Sequence, residues 1–317
     1  MSDTNHSAPI DFGPVEVAVV GSINLDLSVT VERFPTAGET VLGRQVLWGG
    51  GGKGANQAVA AARLGRRVAM IGRVGDDEAG TARLAALAAE GIDTSAVLTM
   101  EGISTGLAMI EVDGHGENRI VVAPGANGAV GTVDLTSAAD TLNQARVILT
   151  QMEIPAATVV ALAEQPRSGV LIVNPAPATP GYQVAGVDLL VPNRNELALL
   201  LGESEASTVA EVVDQIHTLA ATAAGLGAVV TTIGAGGAVV VERPGTPEAE
   251  VTPVASVAVT PVDTTAAGDS FCGALADALC LGADVVDAVG WAVKVAAVTV
   301  TRRGAQDSLP LRAEVLV

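Results

Sequence analysis

Residues 147–173 read VILTQMEIPAATVVALAEQPRSGVLIV. Val147–Thr150 and Val170–Val173 are short runs that are apolar without alternation, and Ala156–Glu164 between them has the composition of a helix. Strands apolar on both faces, joined by a helix, predict parallel neighbours in a sheet covered on both sides. The pattern continues in both directions. Downstream, Leu189–Val191 and Val229–Thr232 read as strands, with helices at Glu196–Leu201 and Val209–Ala224. Upstream, Val15–Gly21 reads as a buried strand, Ala55–Leu64 as a helix, Val68–Ile71 as a strand and Glu78–Glu90 as a helix. Gly106–Val112 and Asn118–Ala123 flank Asp113-Gly114-His115-Gly116, a hairpin signal. A β-rich patch at Ala238–Val259 precedes two helices, Ala267–Leu281 and Val285–Thr301. The expected fold class is α/β, with a mostly parallel central sheet in one domain over residues 12–317. The strand-rich pieces at about 22–47 and 105–123 are expected to form a small β-sheet lid, and residues 1–11 a disordered tail.

Composition narrows the function. The chain has 317 residues, enough for one large domain, and is 49% hydrophobic but only 2% aromatic, so its core must rest on Ala, Val, Leu and Ile. Thirty-five acidic against 17 basic residues give a formal charge of −18. Such a surface repels phosphate backbones and anionic membranes, so neither nucleic acid nor a membrane is an expected partner. No apolar run reaches the roughly 18 residues of a spanning helix. Cys272 and Cys280 lie eight residues apart on an expected helix. That is roughly 12 Å at about 1.5 Å per residue, too far for a disulfide, and a reduced, cytoplasmic chain is expected. His6, His115 and His217 have no second ligand at zinc spacing, and no G-x-S-x-G elbow supports a serine hydrolase.

Three stretches could carry chemistry. In Gly21-Ser22-Ile23-Asn24-Leu25-Asp26, an extended backbone puts Asn24 and Asp26 on one face. An amide beside a carboxylate suits a polyol; it also suits a solvated strand end. Gly49-Gly50-Gly51-Gly52-Lys53-Gly54-Ala55-Asn56-Gln57 opens a helix and is not a Walker A loop. It satisfies G-x-G-x-x-G, so a dinucleotide site competes, although no short apolar strand is expected directly before it. Close approach of backbone to a small ligand, with Lys53 and Asn56 as polar contacts, is the better reading, and a flexible loop plus helix cap the plainer one. In Asp263-Thr264-Thr265-Ala266-Ala267-Gly268-Asp269-Ser270-Phe271, residues 266–269 fall at a helix N-terminus. There, free N–H groups favour a transferring phosphoryl group and Asp269 could take a proton from an attacking hydroxyl. An Asp stabilised by the helix dipole alone is the plainer alternative. Glu153 follows a strand, Asn193 and Glu196 read as a cap and first turn, and Thr232-Ile233-Gly234-Ala235-Gly236-Gly237 could hold phosphates or simply turn.

Together these stretches resemble the ribokinase-like, or PfkB, family of carbohydrate kinases, from Val15 to about Pro310. Gly51–Gln57 resembles its first signature and Asp263–Phe271 its second, D-T-x-x-A-G-D-x-F, about 210 residues apart. Pro35–Val41, Gly125–Asn127 and Thr301–Gln306 support the match. The resemblance implies a three-layer sandwich with a β-lid, and ATP-dependent phosphorylation of D-ribose at its 5-hydroxyl. Another sugar (fructose, a deoxy-sugar acid) or a nucleoside such as adenosine is the alternative, and a dinucleotide-dependent oxidoreductase the distant one. It implies that Asn24, Asp26, Gly52, Lys53, Asn56 and Glu153 hold the sugar under Ala108 and Ile120. Asp269 would be the base, with Ala266, Ala267 and Gly268 as anion hole. Asn193, Glu196, Thr232, Gly234, Gly237 and Gly268 would line the ATP side, with Glu196 on Mg²⁺ through water. Asp263, Thr265, Thr299, Arg302, Gly304 and Ser308 match a monovalent-cation site expected to take K⁺, and a homodimer through the lid is implied. The run of four glycines is longer than the family's usual pair, which suggests a mobile loop. Gly236 and Val293 replace longer or polar residues, near the phosphates and the adenine respectively.

Overall fold

The computed structural model describes residues 14–115, 117–182 and 185–316. The expected tail at 1–11 and Gly116 of the hairpin turn lie outside them. The strands are β1 (Val17–Val20), β2 (Asn24–Thr30), β3 (Gln45–Gly51), β4 (Val68–Gly75), β5 (Asp93–Met100), β6 (Gly106–Val112), β7 (Asn118–Ala123), β8 (Val147–Gln151), β9 (Val170–Asn174), β10 (Leu189–Leu190), β11 (Ala228–Thr232), β12 (Ala238–Glu242) and β13 (Glu250–Val254). The helices are α1 (Lys53–Arg63), α2 (Glu78–Ala89), α3 (Thr132–Ser137), α4 (Ala139–Gln144), α5 (Ala156–Glu164), α6 (Arg194–Leu201), α7 (Val209–Ala220), α8 (Ala267–Cys280), α9 (Val285–Thr299) and α10 (Arg312–Val315).

A nine-stranded sheet runs β13-β12-β11-β10-β9-β8-β1-β4-β5, parallel except where β12 meets β11 and β13. Alternation along its strands sorts the core into two layers. Val17, Val19, Met70, Leu149 and Ile172 pack on α1, α8 and α9, while Ala18, Val20, Ile71, Ile148 and Leu171 pack on α3 to α7. This is the expected three-layer α/β sandwich. Its buried residues are almost all Ala, Val, Leu and Ile, and Phe271 is the one buried aromatic among the described residues.

A second sheet runs β3-β2-β6-β7, with β2 and β6 parallel and the outer pairs antiparallel. It forms the lid. Two expectations need correction here. Gly49, Gly50 and Gly51 are not a loop: they end β3, paired with Asp26, Leu25 and Asn24. A strand therefore does lead directly into α1, but it is antiparallel and in the small sheet, with no βαβ turn around the glycines. The G-x-G-x-x-G match thus lacks the setting a dinucleotide needs. Edge strand β5 and helices α3 and α4 were not expected.

Candidate active site

Ligands of open α/β sheets bind beyond the carboxyl ends of the strands, and there the chain gathers its polar residues. β1 leads to Ser22 and Asn24, β8 to Gln151 and Glu153, β9 to Asn174, β10 to Asn193 and β11 to Thr232. α1 and α8 begin at the same end.

The start of α1 is built around Glu153. Its Oε2 accepts from the Lys53 N–H at 2.9 Å and the Ser22 hydroxyl at 2.6 Å, a carboxylate placed at a helix N-terminus. Gly52 just before it has φ +87°, and a side chain there would press on Ser22 and Asn24 backbone at 2.8 Å. On β2, Asn24 and Asp26 share a face, as expected. Asn24 Oδ1 accepts from Asn127 at 2.7 Å, and Asn127 Oδ1 accepts from the Ile23 N–H at 2.9 Å. Asp26 lies over Gly51, where a Cβ would collide with its carboxylate, and its Oδ1 is buried without a partner. Burial, then the neighbouring Glu153 and Asp269, push its carboxyl up to about 6.

Asp269 is the centre of the arrangement. It sits in the first turn of α8, 6% exposed, with Oδ2 accepting from Asn56 at 2.9 Å and Oδ1 from Gln57 at 3.1 Å. Burial raises its pKa against the opposing pull of Lys53 and these two amides. Burial alone would lower the pKa of Lys53, yet Asp269, Glu153 and Glu196 around it outweigh that and hold the ammonium above its ordinary value. Asn193 and Glu196 do cap α6, each accepting from the other's N–H, at 2.8 and 2.9 Å. Burial raises the Glu196 pKa, against the Asn193 N–H and Lys53.

A cavity of about 190 Å³ joins these groups, lined by Lys53, Asn193, Glu196, Thr232, Ala266, Ala267, Gly268 and Asp269 among others. Ala266 caps α8 in the left-handed region, φ 58°, a conformation that costs a non-glycine residue about 1 kcal/mol or more. The Ala267 N–H donates back to Thr264 O at 3.2 Å, whereas those of Ala266, Gly268 and Asp269 have no backbone partner among the described residues. The expected anion hole is therefore narrower by one donor. Asp263 braces this loop by accepting from the N–H groups of Thr265 and Gly304, both at 2.9 Å.

Other expected residues lie around the cavity rather than on it. Gly234 and Gly237 form the turn after β11, Gly237 with φ +96°. Ala108 is buried opposite Asp26, and Ile120, 53% exposed, shares that face of the small sheet. The side chain of Thr299 bonds Val295 O, that of Ser308 Ala305 O, and that of Arg302 pairs with Glu314. Gln57, Gln151, Asn127, Asn174 and Thr264 were given no role from the sequence, although Gln57 lies inside the quoted first motif and Asn127 ends another quoted stretch.

The family model for pfkB carbohydrate kinases matches residues 15–312. The chain belongs to the pfkB family of carbohydrate kinases. It is 38% identical over 311 residues to a ribokinase of Schizosaccharomyces pombe, covering 95% of this chain and 96% of that one. Among solved structures it is similar to the ribokinase of Thermotoga maritima, with TM-score 0.85 and 33% identity over 95% of this chain and 98% of the other. It is also similar to an Arabidopsis thaliana ribokinase complexed with ribose and ATP, with TM-score 0.84, 28% identity and coverage of 96% and 98%. Family membership accounts for the pairing of Gly51–Gln57 with Asp263–Phe271 across one pocket.

Proposed function

We propose that this chain transfers a phosphoryl group from ATP to the 5-hydroxyl of D-ribose, giving ribose 5-phosphate and ADP. The observation that carries this reading is the placement of Asp269: a buried carboxylate, held by two amides, on the wall of the cavity it shares with Lys53 and Glu196 and close enough to Asp26 and Glu153 for their charges to act on one another. Similarity to ribokinases, one of them complexed with ribose and ATP, supports the substrate pair. Asn24, Asp26, Lys53, Asn56 and Glu153 bind the sugar hydroxyls, the carboxylates accepting and the amides doing either. Gly52 lets the sugar approach the backbone, and Ala108 and Ile120 cover it. Phe271 is the one aromatic on the cavity wall among the described residues, which offers little to a nucleobase.

In the reaction the O5–P bond forms as the bond to ADP breaks, and the hydroxyl proton passes to Asp269, the general base. The free N–H groups of Ala266 and Gly268 and the dipole of α8 stabilise the charge developing on the transferred group. Asn193, Glu196, Thr232, Gly234 and Gly237 lie on the ATP side. Glu196 suits Mg²⁺ held through water, an ion that neutralises phosphate charge. Asp263, Thr265, Thr299, Arg302, Gly304 and Ser308 would hold a monovalent cation through oxygen atoms, several from the backbone, and an all-oxygen set with one carboxylate would suit K⁺. The test is the product: NMR of a reaction with ATP, Mg²⁺ and D-ribose should show phosphate on O5, and phosphate on O1 or none would overturn the reading.

The small sheet exposes Val46, Leu47, Trp48, Met109, Ile120 and Val121. Apolar strands left open in this way favour a homodimer through the lid, and light scattering showing monomer alone at micromolar concentration would contradict it. No helix among the described residues is long and apolar enough to cross a membrane. Free, buried Cys272 and Cys280 support a reducing, cytoplasmic setting.

A further inference from the structure

Next to Asp269 lies a chain of buried amides that the reaction as written does not use. Gln151 ends β8 and pairs in register with Asn174, which ends β9. Gln151 Nε2 donates to Gln57 Oε1 at 2.6 Å, and Gln57 Nε2 donates to Asp269 Oδ1 at 3.1 Å and Asn174 Oδ1 at 3.3 Å. Gln57 is 0% exposed and Gln151 1%, and neither lines the cavity. An amide has one donor end and one acceptor end. Because Gln151 occupies the oxygen of Gln57, the Gln57 NH₂ must face the carboxylate. Without that bond the Gln57 oxygen is left buried without a partner, and the amide that orients the carboxylate is held only through its NH₂, by Asp269 and Asn174. Gly21 makes the arrangement possible, since a Cβ there would collide with Gln151 Oε1.

We propose that Gln151, acting through Gln57, is a positioning residue that fixes the orientation of the Asp269 carboxylate toward the acceptor hydroxyl. The inference rests on the reading of Asp269 as the general base. Partners that orient metal ligands from behind cost about 10–100-fold when removed, and a loss on that order is expected for an oriented general base. Gln151→Met and Gln57→Met, which keep side-chain length, should each lower kcat about 10-fold or more, with KM for ribose and ATP within about twofold of wild type. The double variant should be no slower than Gln57→Met alone, because both changes break one chain. The acid limb of kcat should also move to higher pH in Gln57→Met, since the lost hydrogen bond held the Asp269 pKa down. Lys53 on α1, Glu153 after β8, Glu196 on α6, Asp26 on β2 and Cys272 on α8 also face Asp269, and they are common to both proteins.

The experiment is steady-state kinetics of the four proteins across pH, with Asp269→Asn measured beside them. Wild-type kcat in Gln151→Met, or losses that multiply in the double variant, would overturn the inference. Should Gln151→Met fail to fold, Gln57→Met decides: an unchanged kcat and acid limb would overturn the proposal, and a kcat loss with a shifted limb and unchanged KM would support it. Turnover retained by Asp269→Asn would instead overturn the reading of the base itself.

Discussion

Replacing Asp269 by Asn removes the proton acceptor and keeps the shape of the side chain. In the native chain Asn56 and Gln57 donate to its two oxygens at 2.9 and 3.1 Å. The new amide retains one acceptor, and Gln57, oriented by Gln151, claims it. The new NH₂ then faces Asn56, whose Oδ1 is buried without a partner. A flip of the Asn56 amide turns that clash between donors into a hydrogen bond. Two charge-assisted bonds become two neutral ones, a loss of roughly 1 kcal/mol each, and relief of a buried carboxylate offsets part of it. The fold should hold, with Tm within about 5 °C of wild type. Turnover should not. A positioned general base contributes about 10²–10⁴ in rate, or roughly 3–5 kcal/mol of barrier. The assay is coupled ADP release, with calorimetry of ribose and ATP binding on the same preparation. A folded variant that binds both ligands and keeps kcat within tenfold of wild type would refute proton transfer to Asp269.

Asp26 should make sugar binding pH-dependent: with its carboxyl near 6, the wild-type KM for ribose should rise as pH falls below about 6. A carboxyl raised on folding weakens the fold as pH rises from its ordinary value near 4 through about 6. Asp26→Asn should therefore raise stability at pH 8, on the order of 1–2 kcal/mol, and not at pH 4; equal differences in Tm at both would contradict this. Gly106→Ala drives a Cβ into Asn24 Oδ1 and Asn127 Nδ2, and buried polar groups left unpaired cost about 1–3 kcal/mol each. It should lower Tm and raise the ribose KM about tenfold or more, and an unchanged KM would show that Asn24 does not hold the sugar. Rates should be higher in K⁺ than in Na⁺ or tetramethylammonium, because Asp263 braces the loop that presents Ala266 and Gly268; equal rates would remove the cation from the account.

The parallel layers were legible because Val147–Thr150 and Val170–Val173 are apolar on both faces, a pattern only a doubly covered strand needs. Edge strand β5, DTSAVLTM, is half polar and gave no such signal, since one of its edges meets solvent. Gly49–Gly51 misled for a different reason. Glycine has no side chain to alternate, and only pairing with Asn24–Asp26 reveals a strand. Among candidate site residues, Lys53, Asn56 and Asp269 stood out by type and position, Glu153 came only from the family resemblance, and the structure brings the four together. Gln57, Gln151 and Asn174 could not be assigned that way, because a buried amide resembles a surface amide until topology sets β8 beside β9. Asn193 and Glu196 show that a cap and a cavity wall can be the same residues.

The central claim is most directly tested by kcat/KM for D-ribose, 2-deoxy-D-ribose, D-fructose and adenosine, measured with ATP and Mg²⁺ on one preparation. The account predicts the highest value for D-ribose, and a higher value for fructose or adenosine would contradict it.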